Sequence, residues 1–177
     1  LDYEVMKKAG RIVIMGTAGL GDGNVTPVAE FNIWQDAEAA KIVTESGLDN
    51  IIFVGWDACL GDCMLNPKEI KEIRESGKLG KFAIDCNKNL LEMNRERFGD
   101  DYLDMADPSA MSAALYPECI EKCEKYYCEV DVSAGPSYGA VLVDVNNVTG
   151  KEPNVYICSK LYADKYKEYI YRTLRVK

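Results

Sequence analysis

The sequence predicts one α/β domain over residues 1–177, with a Rossmann-like open, mainly parallel sheet flanked by helices. The runs RIVIM (11–15) and IIFV (51–54) are short, apolar and β-branched, which is typical of strands buried on both faces of a parallel sheet. Between them, DAEAAKIVTES has a helical apolar stripe, with Asp36 as N-cap and Gly47 as a C-terminal stop. Strand, loop, helix and strand in this order predict a βαβ unit with a right-handed crossover.

The rest of the chain is predicted to be helical in its middle and mixed towards its end. No linker, repeat or low-complexity segment divides it. A small antiparallel strand pair is expected near residues 127–145, because two apolar runs flank the turn SAGPSYG. The predicted helices begin at Asn66-Pro67, at residue 87, at Pro108 and at residue 164, and the predicted strands are 127–132, 140–145 and 155–158.

Composition and charge exclude several classes of function. The formal net charge is -8, which argues against nucleic acid as a partner because phosphate binding needs clustered Lys and Arg. No apolar run reaches the length of a membrane span, and no signal-peptide pattern is present at the N-terminus. We therefore expect a cytoplasmic protein that binds neither nucleic acid nor membrane.

Seven cysteines without a secretion signal indicate reduced thiols. The spacings Cys59-x3-Cys63 and Cys119-x3-Cys123-x4-Cys128 leave a structural zinc site open as an alternative to buried, inert thiols. The chain has no histidine and no CxxC pair. The spacing of Cys119 and Cys123 places them on one face of a predicted helix.

The segment GNVTPVAEFN (23–32) concentrates uncharged polar groups and one carboxylate behind the first predicted strand. The glycines of the loop 16–23 match neither a dinucleotide fingerprint nor a P-loop. If the segment is extended, Glu30 and Asn32 share a face, and a carboxylate with an amide suits a polyhydroxylated ligand such as a sugar. Alternatively, Asn24 and Asn32 satisfy backbone groups of turns and caps.

Three blocks of sequence resemble the inosine-uridine-preferring nucleoside hydrolases. MGTAGLGDGNVTPVAEFNIWQDAEAAKIV is similar to the family block MGG…GNVTPxAEFNxxxDPEAAxxV. MADPSAMSAALYP (105–117) is similar to HDPxAVAxxxxP, and SYGAVLVD (137–144) more weakly to TRGxTVVD. The resemblance runs over most of this chain and corresponds to the C-terminal half of a family member.

The resemblance implies hydrolysis of the N-glycosidic bond of ribonucleosides, as part of a calcium-dependent enzyme that releases base and ribose. By resemblance, Asn24, Glu30 and Asn32 hydrogen-bond the ribose hydroxyls, and Met15 lines the sugar pocket. Asp107 becomes one calcium ligand. Two simpler interpretations stay open: Met15 as plain core, and Asp107 as the N-cap of the Pro108 helix.

The chain also departs from the family pattern. It lacks the N-terminal motif DTDPGxDDA, so no catalytic residue is expected here, and Ca²⁺ is expected only if the N-terminal half is supplied. The family histidine is replaced by Ala106, and an arginine by Tyr138. We expect a second chain carrying the N-terminal half, a homo-oligomer, or both. The alternative is a non-catalytic nucleoside- or ribose-binding or scaffold relative. Base contacts are expected from residues 59–65 and 86–104.

Overall fold

The computed structural model describes residues 2–175. The main sheet has four strands in the spatial order β1-β2-β6-β3, and a separate two-stranded sheet pairs β4 with β5. The strands are β1 Ile12–Met15, β2 Ile51–Val54, β3 Ile120–Tyr126, β4 Cys128–Val130, β5 Val141–Val143 and β6 Val155–Leu161. The helices are α1 Tyr3–Met6, α2 Phe31–Gln35, α3 Ala37–Thr44, α4 Pro67–Glu75, α5 Lys78–Asp85, α6 Lys88–Phe98, α7 Ala106–Leu115 and α8 Ala163–Leu174.

The predicted parallel sheet is confirmed. β1 pairs with β2 in parallel, from Ile12 opposite Ile51 to Met15 opposite Val54. β2 pairs with β6 in parallel as well, and only the edge strand β3 is antiparallel, to β6. The small antiparallel pair near residues 127–145 is confirmed as β4 and β5. The carboxyl ends of β1 and β2 therefore lie side by side, at the edge of the sheet where open α/β folds bind ligands.

The helix between β1 and β2 begins where the sequence predicts. Asp36 is the N-cap of α3, and its Oδ1 accepts a hydrogen bond of 2.9 Å from the Ala39 backbone N–H. Gly47 follows the helix with a φ of +76°, the left-handed conformation that a glycine stop adopts at low cost.

Two features of the chain differ from the sequence-based expectation. The placement of Cys119 and Cys123 on one helix is wrong, because Cys119 ends a short 3-10 turn and Cys123 lies in β3. A spacing of four residues fits one face of a helix. However, residues 120–126 form a strand because their backbone groups pair with the free edge of β6. The second difference is α2, a short extra helix that follows directly on the polar segment 23–32.

Two hydrophobic clusters fill the space on either side of the main sheet. One joins Val54 to Ile73 and Tyr166 of the flanking helices. The other joins Phe53 and Ile157 to residues of α3 and β4. Since adjacent residues of β2 serve opposite clusters, the strand is buried on both faces, as its unbroken apolar run predicts. Within residues 2–175, no helix is long and apolar enough to cross a membrane.

Candidate functional site

A cavity of about 400 Å³ lies beyond the carboxyl ends of β1 and β2. All five residues singled out from the sequence line it: Met15, Asn24, Glu30, Asn32 and Asp107. Met15 is the last residue of β1, the next three follow the glycine loop, and Asp107 lies in the first turn of α7. The fold thus brings together side chains that are up to 92 positions apart in the sequence (107 minus 15).

Glu30 is the most deeply buried of the five, with 2% of its surface exposed. It is the N-cap of α2, and its carboxylate accepts hydrogen bonds of 3.0 Å from the Asn32 N–H and 3.3 Å from the Ile33 N–H. Burial raises the pKa of the Glu30 carboxyl, the backbone hydrogen bonds oppose that rise, and the nearby Asp107 adds to it. The expectation that Glu30 and Asn32 share an extended face is wrong, because Asn32 lies within the helix that Glu30 caps.

The two asparagines have different surroundings. Asn24 Oδ1 accepts a hydrogen bond of 2.9 Å from the Phe31 N–H, so its oxygen has the backbone role considered for it. Among residues 2–175, its side-chain NH₂ has no hydrogen-bond partner, and Asn24 lines the cavity. Asn32 is exposed and its Nδ2 donates to Met15 Sδ at 3.0 Å. Met15 is half-buried, packs against the core and also faces the cavity.

Asp107 is exposed and is the second residue of α7. The alternative that Asp107 caps this helix is wrong, because α7 begins one residue earlier and Met105 occupies the N-cap position. Within the described part of the chain, the Asp107 carboxylate makes no hydrogen bond or ion pair. It is therefore free to bind a ligand or a cation.

Calcium needs six to eight oxygen ligands, roughly, and the described residues do not supply such a set. No group of three or more His, Cys, Asp or Glu side chains is placed to hold a metal within residues 2–175. Of the carboxylates lining the cavity, Glu30 is committed to capping and Asp104 to two side-chain donors. The residues present do not by themselves fit a calcium ion.

The sequence did not single out Asp104 or its donors Trp56 and Asn94, although Asn94 and Asp104 lie in the segment 86–104 expected to contact a base. The buried Asp104 carboxylate accepts 2.8 Å from Trp56 Nε1 and 2.6 Å from Asn94 Nδ2. This bond network joins the loop after β2, α6 and the entry to α7. No short motif contains three residues from such distant segments. The only indication in the sequence is that Asp104 lies three positions before Asp107.

A second cavity of about 560 Å³ adjoins the first and shares Asn24, Phe31, Trp56, Leu90 and Asp104 with it. Its further walls come from α6, with apolar and charged side chains side by side: Leu90, Met93, Asn94, Glu96 and Arg97. The Arg97 guanidinium lies 4.5 Å from the centre of the Trp56 ring, a cation–π distance. Of the two segments expected to contact a base, 86–104 lines this space, whereas no described residue of 59–65 does.

The glycine loop 16–23 is held in place by Asp57. The Asp57 Oδ2 accepts 2.9 Å from the Leu20 N–H, and burial raises the pKa of this carboxyl to about 6. Gly19 has a φ of +75° and packs so closely that an added Cβ would lie 1.9 Å from Asp57 Oδ1. The contact fixes the path of the loop that leads into Asn24.

Open, mainly parallel α/β sheets bind small molecules in a crevice at the carboxyl ends of their strands, and the cavity of this chain lies at that position. The sequence profile described as inosine-uridine preferring nucleoside hydrolase matches residues 1–168. The chain belongs to this family.

Individual relatives agree with that assignment. A pyrimidine-specific ribonucleoside hydrolase from Escherichia coli O1:K1 is 34% identical over 154 residues, which are 86% of this chain and 48% of that protein. The solved structure of a plant nucleoside hydrolase superimposes with a TM-score of 0.84 at 25% identity, covering 96% of this chain and 55% of that one. A purine-preferring ribonucleoside hydrolase from Gardnerella vaginalis gives 0.82 at 27% identity, covering 99% and 55%. The chain spans about half the length of these relatives.

Proposed function

We propose that this chain is the ribose-binding part of a ribonucleoside hydrolase, which cleaves the N-glycosidic bond to give free base and ribose. The observation that carries the proposal is the cavity in which Met15, Asn24, Glu30, Asn32 and Asp107 meet. Family membership and the fold support the reaction class. The relatives that share these features act on ribonucleosides, as their names state.

The chemistry of the cavity wall suits a sugar. Each oxygen of an ionised carboxylate accepts more than one hydrogen bond, so Glu30 can cap α2 and still accept a ribose hydroxyl. The free NH₂ of Asn24 donates to a hydroxyl oxygen, and Asn32 adds a second amide. Met15 presents an adaptable apolar surface to the ring. In this proposal the chain binds and orients the ribose and excludes water from one of its sides.

Asp107 is proposed as one calcium ligand in the completed site, the others coming from the segment with the DTDPGxDDA motif. A divalent cation held there would polarise the hydroxyls and the water that it contacts. Of the carboxylates that line the cavity, Glu30 and Asp104 are already hydrogen-bonded, and Asp107 is assigned to the cation. The general base is therefore assigned to the same segment with the DTDPGxDDA motif. We therefore expect the chain alone to be inactive.

The second cavity is proposed to hold the nucleobase. A flat, partly apolar base fits between Leu90 and Met93, while Glu96 and Arg97 offer an acceptor and donors to its polar edge. Both cavities share Trp56 and Asp104, so a nucleoside can span them. Residues 86–104 therefore carry the base preference in this proposal.

The completing segment is proposed to lie on a second polypeptide, or upstream in a precursor from which this chain derives, and to pair at the open edge of β1. Coverage of about half of each relative supports this proposal, as does the position of β1 at the edge of the sheet. A homo-oligomer is the other arrangement that covers the edge. Free thiols throughout the described residues favour a reducing compartment such as the cytoplasm.

The proposal is tested by mixing the chain with the N-terminal half of a relative, adding calcium, and measuring base release from inosine and from uridine. We expect release only with both halves, and a loss of roughly a hundredfold or more in Asp107→Ala, since removing a cation ligand removes several kcal/mol of stabilisation. Asp164→Ala is the matched control. Asp164 is likewise the exposed second residue of a helix, α8, and it lines neither cavity.

Absence of release with both halves present contradicts the hydrolase proposal. The same material then distinguishes the second candidate, a non-catalytic nucleoside- or ribose-binding relative. That candidate is supported by the cavity itself, because Asn24, Glu30 and Asn32 can hydrogen-bond hydroxyls whether or not a catalytic base is supplied. It predicts saturable binding of ribose or nucleoside by calorimetry, weakened by Glu30→Gln.

A further inference from the structure

Two cysteines lie directly opposite each other in the main sheet. Cys123 of β3 is the register partner of Cys158 of β6, and the two strands are antiparallel. Directly opposed residues of an antiparallel pair point to the same face with Cα atoms about 4.5–5.5 Å apart. A disulfide needs Cα atoms about 4.4–6.8 Å apart. The strand register, which shifts between Lys122 and Cys123, therefore brings the two Cα atoms into the range that a disulfide requires.

The two cysteines face the same hydrophobic cluster on one side of the sheet and differ in exposure. The interaction between the two thiols lowers the pKa of Cys123, and together with burial it raises the pKa of Cys158. Cys123 is half-buried on β3, the edge strand of the sheet, whereas Cys158 has 0% of its surface exposed. Cys123 is thus the more accessible of the two thiols, and Cys158 is fully buried.

The other thiols have other neighbours. The buried Cys59 donates to the Trp56 carbonyl at 3.0 Å, and Cys119 to the Ser112 hydroxyl at 3.4 Å. Cys86 is exposed, and its Sγ lies 3.3 Å from the Ala83 carbonyl. Exposure without an opposing thiol makes Cys86 a useful internal comparison.

We propose that Cys123 and Cys158 form a redox modification site, at which a hydroperoxide oxidises the two thiols to an intrachain disulfide. The Cys123 thiolate attacks one peroxide oxygen, the O–O bond breaks, and the departing hydroxide takes a proton to become water. Cys158 sulfur then attacks the Cys123 sulfenic acid, the S–O bond breaks, and the second hydroxide leaves as water with the Cys158 proton. The two thiols lose two electrons and two protons, and the peroxide is reduced.

The disulfide would tie the edge strand to the strand that braces the cavity. The Cys158 carbonyl accepts 3.1 Å from the Gly55 N–H, and Gly55 precedes Trp56 of the cavity wall. A covalent link restricts the unfolded chain and thereby stabilises the fold. A dithiol reductant reverses the reaction by thiol–disulfide exchange.

The test is peptide mapping of the purified chain after hydrogen peroxide treatment, alkylation of remaining thiols and digestion with trypsin. Cleavage after Lys122, Lys125, Lys151 and Lys160 places the two cysteines in the separate peptides 123–125 and 152–160, and Cys119 in a third. We expect the two peptides to be joined in the chain that migrates as a monomer on non-reducing gels, and to separate after dithiothreitol. Cys86→Ser should leave the joined peptides unchanged.

Cys158→Ala is expected to abolish the joined peptides and leave Cys123 oxidised to sulfinic acid, since no second thiol traps the sulfenic acid. Cys123→Ser, which changes the half-buried position, is the second variant and should also abolish the joined peptides. Circular dichroism verifies that it folds. Oxidation of Cys86 without joined peptides 123–125 and 152–160 overturns the proposal. So does an equal yield of those peptides from urea-unfolded protein, or pairing of Cys123 with Cys119 instead.

Discussion

Glu30 is both the N-cap of α2 and part of the cavity wall. A carboxylate at an N-cap stabilises a helix through the backbone N–H groups it accepts, and Glu30 does this for α2. Burial raises its pKa, yet the same N–H groups oppose that change and favour the ionised form. The N-cap hydrogen bonds therefore help to keep the Glu30 carboxylate ionised, as a hydrogen-bond acceptor in the cavity wall. The start of α2 and the charge of this part of the wall thus depend on the same few residues.

Asp57 makes folding stability depend on pH. Burial raises its pKa to about 6 from 3.8, so the folded state holds the proton more tightly than the unfolded chain does. The resulting stability is present below about pH 4 and is lost as pH rises through about 6. At 1.36 kcal/mol per pKa unit, the loss is at most on the order of 3 kcal/mol.

Asp57→Asn, whose amide oxygen still accepts the Leu20 N–H, lacks this titration. We therefore expect the free energy of unfolding of the natural chain, measured in urea, to fall relative to that of Asp57→Asn between pH 4 and pH 6. Above about pH 7 the difference between the two proteins should become constant. Parallel stability curves across the whole range would contradict the assignment.

At the scale of elements, the site depends on how closely the loops after β1 and β2 approach each other. A Cβ added to Gly55 would lie 2.3 Å from Asp57 Oδ1 and 2.6 Å from Gly19 Cα. Because the second of these atoms is backbone, the strain cannot be relieved by a side-chain rotation. The two loops can keep this path only with glycine at the contact.

Gly55→Ala is therefore expected to lower the free energy of unfolding by at least about 2 kcal/mol, as overpacking does in other cores. Chemical denaturation monitored by circular dichroism measures it. Gly135→Ala is the matched control, because a Cβ at Gly135 meets no atom within 4 Å. We expect that control to change stability by less than about 0.5 kcal/mol. Equal effects of the two substitutions would show that the close approach is not needed.

The sequence predicted correctly those elements whose apolar pattern fits only one type of secondary structure. IIFV is unbroken and β-branched, and it became β2 with both faces buried. Residues 120–126 are different: their charged residues tolerate either a helix surface or an exposed edge strand. The segment becomes a strand because its backbone groups pair with those of β6. This tertiary contact cannot be predicted from the local sequence.

For the molecule as a whole, β1 is the critical edge. It is an apolar strand, parallel to β2 on one side and unpaired on the other within the described residues. The neighbouring helix α7 exposes Met111 and Leu115, at 53% and 60% of their surface. An uncovered apolar strand edge favours association.

We expect the isolated chain to form species larger than 19.7 kDa, and to form a one-to-one complex when the N-terminal half of a relative is added. Light scattering coupled to size-exclusion chromatography measures both, with intact mass as a check on the chain itself. A stable monomer that ignores the added half would rule out pairing at this edge.

The site was predictable to the extent that it is encoded in contiguous blocks. GNVTPVAEFN and MADPSAMSAALYP gave four of the five residues that meet in the cavity, and Met15 begins the longer block that contains the first of them. Asp104, Trp56 and Asn94 could not be found in this way, because each is an ordinary residue until the fold joins them. The same holds for the opposed thiols of β3 and β6, whose relation exists only in the strand register.

The position of Trp56 has a practical consequence. The chain has two tryptophans, and one of them lies where the two cavities meet, under the Arg97 guanidinium and bonded through its indole N–H to Asp104. The emission of an indole depends on the polarity and charge around its ring. The protein thus carries an intrinsic optical probe where the cavities proposed for ribose and base meet, and binding of a nucleoside there can be tested by fluorescence without a label.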